Sequence, residues 1–208
     1  MKIIEPSIEI LDDIDGEQIL RKLERAGRVC YKSEGKMADG TAQKFIQSII
    51  GRGHESVIEH EKVTVLVTCD RGVTHEIVRH RIASYSQEST RYCNYMGDKF
   101  GNELTFIKPC FWHEDAPAFA TWKACMQHIE DTYLELINQG VKAEQARAIL
   151  PNSLKAEIVV TMNMRSWRHF LSLRSEVAAH PQIRQIAGMI LNEFKARIPF
   201  LFDDIKNT

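Results

Sequence analysis

The 208-residue sequence contains neither G-x-G-x-x-G nor the P-loop pattern. A Rossmann or Walker phosphate site is therefore not expected, and a bound dinucleotide must have its phosphates held by side chains. No C-x-x-C pair occurs. The five cysteines (Cys30, Cys69, Cys93, Cys110 and Cys125) are odd in number and widely spaced, which points to free thiols in a reducing compartment and away from a disulfide framework or zinc ribbon. No run approaches the roughly 20 apolar residues that a membrane helix needs. The stretch Met1 to Ile10 carries Glu5, Pro6 and Glu9 among its apolar residues, unlike a signal peptide. A cytoplasmic protein with no membrane contact is expected. The net charge of −1 leaves no global basic field of the kind that drives nucleic-acid binding.

Two kinds of chemistry are also missing. His75-Glu76-x-x-x-His80 is one residue longer than the zincin pattern. At about 100° per residue its imidazoles stand roughly 140° apart on a helix and cannot share an ion. His54 and His60 lie in a turn, so no metal is expected. No G-x-S-x-G elbow surrounds Ser89, and Cys93 has no evident base, so a hydroxyl or thiol nucleophile has little support.

What is present is ordinary for a folded domain: 44% hydrophobic and 26% charged residues, with enough length for a substantial core. Ile3–Ile4 and Ile8–Leu11 read as short strands. Asp15 can cap a helix over about 16–30, and a second helix runs from about Thr41 to Gly51. Val63, Val65 and Val67 alternate with threonines in a strand over 62–69, and Ile158, Val160 and Met162 alternate in another. A short helix from about Gly72 leads to Arg79–Arg81. Phe119, Trp122, Met126, Ile129, Tyr133, Leu136 and Ile137 recur at steps of three and four, the longest helix, about 116–139. Shorter helices are expected over Ala143–Leu150 and Arg165–Arg174, and a last one from Pro181. Helices and strands mix without regular alternation. The expected fold is α+β: a single domain, 1–208, with a small mixed or antiparallel sheet packed by several helices around one long central helix.

The chemistry concentrates in Glu76–Tyr92, E-I-V-R-H-R-I-A-S-Y-S-Q-E-S-T-R-Y. Arg79, His80 and Arg81 are consecutive, and after seven intervening residues come Ser89, Thr90 and Arg91. Guanidinium groups offer planar, bidentate donors to phosphate, and hydroxyls complete such a cradle. For a single Arg a surface ion pair is the plainer reading. For Arg-His-Arg in tandem, which repels itself, an anion nearby is expected. Arg174 follows Leu173 inside an apolar pattern, so a ligand anion or partner acid is expected for it. Arg165 and Arg174, nine residues apart, should point to opposite sides of one helix. A single-stranded nucleic-acid binder using Arg79, Arg81, Arg91, Tyr85 and Tyr92 is the rival reading, and the net charge counts against it.

Arg79-His80-Arg81, seven residues, then Ser89 resembles the signature of flavin-dependent thymidylate synthases. Further matching stretches are Gly53–His60, Ala146-Arg147-x-x-Leu150-Pro151, Asn163-x-Arg165-Ser166 and Phe170-Leu171-x-Leu173-Arg174. The likeness covers nearly the whole chain. It implies reductive methylation of dUMP to dTMP, with methylenetetrahydrofolate as one-carbon donor and FAD, reduced by NADPH, as hydride source. It also implies a homotetramer whose active sites are shared between subunits. FAD contacts are implied for Ser56, Arg79, His80, Arg81, Gln87, Asn163, Arg165 and His169. The implied dUMP contacts are Glu76, Arg79, Gln87, Glu88, Ser89, Thr90, Arg91, Arg147 and Arg174. Arg174 is implied to be catalytic, at the uracil N3/O4 edge, and Ser89 to be a ligand. Glu76 stands where some members have Gln, and His169 where some have Asn. A catalytically inactive nucleotide-binding module of the same fold is the alternative.

Overall fold

Local signals set most element boundaries. The computed structural model describes residues 1–93, 95, 97 and 101–206. In chain order it has β1 (Lys2–Ile4), β2 (Ser7–Ile10), α1 (Gly16–Cys30), α2 (Thr41–Gly51), β3 (Lys62–Asp70), α3 (Arg71–Ile77) and β4 (Ser84–Gln87). These are followed by β5 (Thr105–Ile107), α4 (Pro117–Asn138), α5 (Ala143–Ala146), β6 (Lys155–Asn163), α6 (Met164–Arg174), α7 (Pro181–Arg197) and α8 (Pro199–Phe202). This is an α+β fold. Asp15 caps α1 by accepting the N–H groups of Glu17 and Gln18 at 3.0 Å. Asp70 caps α3 through Val73, and Asn163 caps α6 through Ser166. Each oxygen satisfies a donor that the first helical turn leaves over. Gly140, at φ +84, stops α4 in the left-handed conformation that suits glycine.

Strands β1 and β5 pair in parallel, Lys2 opposite Thr105 and Ile4 opposite Ile107. A four-stranded sheet has the order β2-β3-β6-β4. The chain divides into two compact units. One comprises Met1–Ser7, Val67–Arg79 and Ser86–Ile158; the other comprises Ile8–Leu66, His80–Tyr85 and Val159–Thr208. In the first, Phe119, Trp122, Met126 and Tyr133 of α4 pack with Leu104, Phe106 and Leu154. Trp122 donates its indole N–H to Ser153 Oγ at 3.0 Å.

In the second unit, Trp167 meets Phe170 and Phe194 edge-on at 5.6 and 5.5 Å and donates to the Val63 carbonyl at 2.9 Å. Helices α1 and α2 approach closely at Gly27: a Cβ there would lie 2.6 Å from the Phe45 ring. A bare Cα is what permits the crossing.

The structure departs from the sequence expectations at several places. Ser84–Gln87 is a strand, not a loop, because β6 offers it a backbone partner. That partner strand is longer than its apolar alternation suggested, starting at Lys155. Ala143–Leu150 is the single turn α5 followed by a 3₁₀ turn over Arg147–Ile149, and Leu150 is extended, as Pro151 requires of the residue before it. As expected, a short helix, α3, ends at Ile77 and leads to Arg79–Arg81.

Candidate active site

In the second unit, residues four apart on α6 share a face, which brings Phe170 and Arg174 together against His80. The His80 ring stands edge-on to Phe170 at 4.8 Å and 5.7 Å from the ring of His169. Arg174 Nε donates to His80 Nε2 at 3.1 Å. Burial, then the charges of Arg174 and His169, pushes the His80 imidazole down to about 4. His80 is therefore neutral at physiological pH, with Nε2 as acceptor and the proton on Nδ1. The Tyr85 hydroxyl donates to the His80 carbonyl. Burial raises that phenol to about 12, so it remains a donor. On its Nε side Arg174 meets a neutral imidazole acceptor.

Arg165 points elsewhere, as its spacing from Arg174 predicted. It pairs with Glu59 at 2.6 Å and lies 3.7 Å from Glu55. Both Arg165 and Glu59 are largely exposed, and such pairs yield readily to a better partner. Ser56 lies exposed in the 3₁₀ turn Glu55–His60. Arg79 and Arg81 are exposed as well, and neither makes a side-chain ion pair among the described residues.

The first unit holds Glu76, at the end of α3, and the hydroxyl-rich loop. Gln87 Nε2 donates to Thr74 Oγ1 at 2.9 Å, which pins it inward. Ser89 organises the turn after it. Its carbonyl accepts the Cys93 N–H at 3.0 Å, and its Oγ accepts the Arg91 N–H at 3.3 Å. Arg147 Nη1 reaches Thr90 Oγ1 at 3.4 Å, so the structure brings Arg147 to the loop. Arg91 lies over the Tyr92 ring at 5.3 Å. Glu88 turns the other way, to Lys155 and Tyr95. Burial and the Glu88 carboxylate push the Cys93 thiol up, which keeps it protonated and disarms it as a nucleophile.

Residues 12–200 match the family model described as thymidylate synthase complementing protein. The chain is 40% identical over 181 residues to a flavin-dependent thymidylate synthase of Pyrococcus furiosus, covering 86% of this chain and 71% of the relative. The chain belongs to the flavin-dependent thymidylate synthase family. A member from Mycolicibacterium gilvum is 35% identical over 221 residues, 98% of this chain and 85% of its own length. The solved structure of a UMP/dUMP methylase, PolB from Streptomyces cacaoi, bound with 5-Br dUMP, superposes with a TM-score of 0.79. It covers 98% of this chain and 96% of that one at 23% identity, a likeness of fold.

The donor set suits the flavin this family is named for. Exposed Arg79, in the first unit, and exposed Arg81, in the second, each lack an acidic partner among the described residues, and a guanidinium group without one can take a phosphate oxygen. His80 offers an uncharged ring edge. Among the described residues no group of three or more His, Cys, Asp or Glu is placed to hold a metal ion, and no helix is long and apolar enough to cross a membrane. Sequence reasoning missed Lys155 and Tyr95, the partners of Glu88. The one available signal was that an acid inside an anion-binding loop needs its own cation.

Proposed function

We propose that the protein is a methyltransferase that converts dUMP to dTMP, taking the one-carbon unit from methylenetetrahydrofolate. FAD, reduced by NADPH, supplies the hydride when bound. The family match over residues 12–200 carries this reading. A relative in fold is a UMP/dUMP methylase bound with a dUMP analogue, which supports dUMP as the substrate.

Ser89, Thr90, Arg91 and Arg147 take the nucleotide phosphate, whose binding energy orients the pyrimidine. Arg79, Gln87 and Glu76 complete the dUMP contacts; Glu88, expected among them, has its carboxylate held by Lys155 and Tyr95, so its side chain is left out of the dUMP set. Arg174 is the catalytic residue. Hydride addition to a pyrimidine pushes negative charge toward N3 and O4, and a guanidinium fixed there stabilises that charge as it develops. His80 accepts the Arg174 Nε–H and so fixes the plane of the guanidinium. Ser56, Arg79, His80, Arg81, Gln87, Asn163, Arg165 and His169 hold the flavin. For Arg165 this means exchanging Glu59 for a phosphate. Asn163 keeps its Oδ1 on the α6 cap, which leaves contact to its amide nitrogen. The chain works as one catalytic domain, 1–208, in a cytoplasmic homotetramer whose active sites draw residues from several subunits.

Omission assays test the reading. Purified protein given FAD, NADPH, methylenetetrahydrofolate and dUMP should form dTMP, and leaving out any one of them should stop it. Binding of dUMP without dTMP formation would leave only a nucleotide-binding module.

A further inference from the structure

Glu88 lies within the loop read above as a phosphate cradle, where its own charge works against an anion. Its carboxylate is engaged on both oxygens: Oε2 accepts from Lys155 Nζ at 2.9 Å, and Oε1 from the Tyr95 hydroxyl at 3.2 Å. Its backbone N–H donates to the Glu157 carbonyl at 2.8 Å, extending the β4–β6 pairing by one residue. Side chains alternate along an extended strand, and Gln87 accordingly turns to Thr74 while Glu88 turns to Lys155. Lys155 also pairs with Glu157 at 2.9 Å, so one ammonium serves two carboxylates. The side chains of Glu88 and Lys155 are 11% and 18% exposed. Both line a polar cavity of about 580 Å³, together with Lys2, Glu103 and Glu157. Open polar space does not fix a side chain by packing. The charge of Lys155 does.

We propose that Lys155 is a positioning residue for substrate binding: it holds the Glu88 carboxylate inward, so that no negative charge competes with the nucleotide phosphate at Ser89, Thr90 and Arg91. This rests on the reading of that loop as the phosphate site. Without Lys155, the Glu88 and Glu157 carboxylates lose the ammonium that stands 2.9 Å from each and offsets their mutual repulsion, and for the mostly buried Glu88 a poorly solvated charge without its cation is costly. Glu88 sits at a loop margin and can relieve the repulsion by turning out, toward the anion site. Tyr95 stays a donor, its phenol pushed up by burial and by Glu88, but a neutral hydroxyl does not offset a full charge.

The test is the dUMP dependence of turnover by the FAD-loaded protein with NADPH and methylenetetrahydrofolate. Lys155→Met should raise KM for dUMP by about tenfold or more, the effect of one like charge near a dianion. Its kcat at saturating dUMP should change by less than about threefold. Adding Glu88→Gln should then bring KM most of the way back, because the misplaced charge is gone. A purely structural role predicts the opposite order, the double variant being at least as impaired as Lys155→Met alone, and that result overturns the proposal. An unchanged KM in Lys155→Met overturns it too. If Lys155→Met does not fold, Lys155→Gln carries the same comparison: K155Q/E88Q must bind dUMP more tightly than K155Q. A wild-type protein that binds no dUMP would sink the phosphate-loop reading instead, and so the two failures are distinguishable.

Discussion

Replacing Arg174 with alanine should abolish most turnover while leaving the flavin bound. Arg174 is half-buried and held through Nε by a neutral acceptor 3.1 Å away. In the proposed role, its guanidinium charge stabilises the negative charge that develops on the pyrimidine. Loss of one preorganised donor of this kind costs about 2.7–4 kcal/mol, or about 10²–10³ in kcat. Arg174→Lys keeps the charge but has no planar Nε–H to give His80, so it should recover only part of the loss. The assay is kcat for dTMP at saturating dUMP, paired with flavin absorbance of the same purified samples. Near-normal turnover in Arg174→Ala would remove Arg174 from the catalytic role. Loss of flavin together with activity would assign it to cofactor binding.

Ser89→Ala removes one hydroxyl from the loop; dUMP affinity should fall by about fivefold, as for one hydrogen bond of about 1 kcal/mol, with measurable turnover retained. Complete loss of activity with intact dUMP affinity would revive a nucleophilic serine. The His80 ring should titrate near 4 instead of 6.5, read by NMR. The unfolded chain then binds a proton that the folded one refuses, so stability should fall as pH drops from 6.5 toward 4. Arg174→Ala removes a nearby positive charge and should move that midpoint up; a wild-type midpoint at 6.5 would contradict the burial of the ring beside Arg174. Trp167→Ala empties a site that is 1% exposed and removes the indole donor from the Val63 carbonyl. Urea titration should show a loss of about 3–5 kcal/mol; a loss below about 1 kcal/mol would mean that the core closes over the gap.

The amphipathic helices were legible because spacing alone reports them. The three-and-four rhythm of Phe119 to Ile137 gave α4 to within a residue at each end, and the valines of β3 gave a strand. Strand β4 was not legible. Ser84-Tyr85-Ser86-Gln87 has no apolar alternation, and only its neighbour in the sheet makes it extended. The candidate site divides the same way. The cationic cluster and the hydroxyl loop could be read from local composition. Two pairings could not: Arg174 with His80, 94 residues apart, and Lys155 with Glu88, 67 apart. For Arg174 the sequence called for a compensating negative group. The partner seen at its Nε is a neutral imidazole, because burial beside Phe170 keeps His80 uncharged.

Single-turnover chemistry on the reduced protein is the most direct test of the central claim. The flavin-loaded protein is reduced anaerobically with NADPH, freed of excess reductant and mixed with methylenetetrahydrofolate and dUMP. The account predicts that the oxidised-flavin absorbance returns and that dTMP appears in equal amount, with neither occurring when dUMP is omitted. Flavin that stays reduced in the presence of both substrates, or that reoxidises without dTMP, would contradict it.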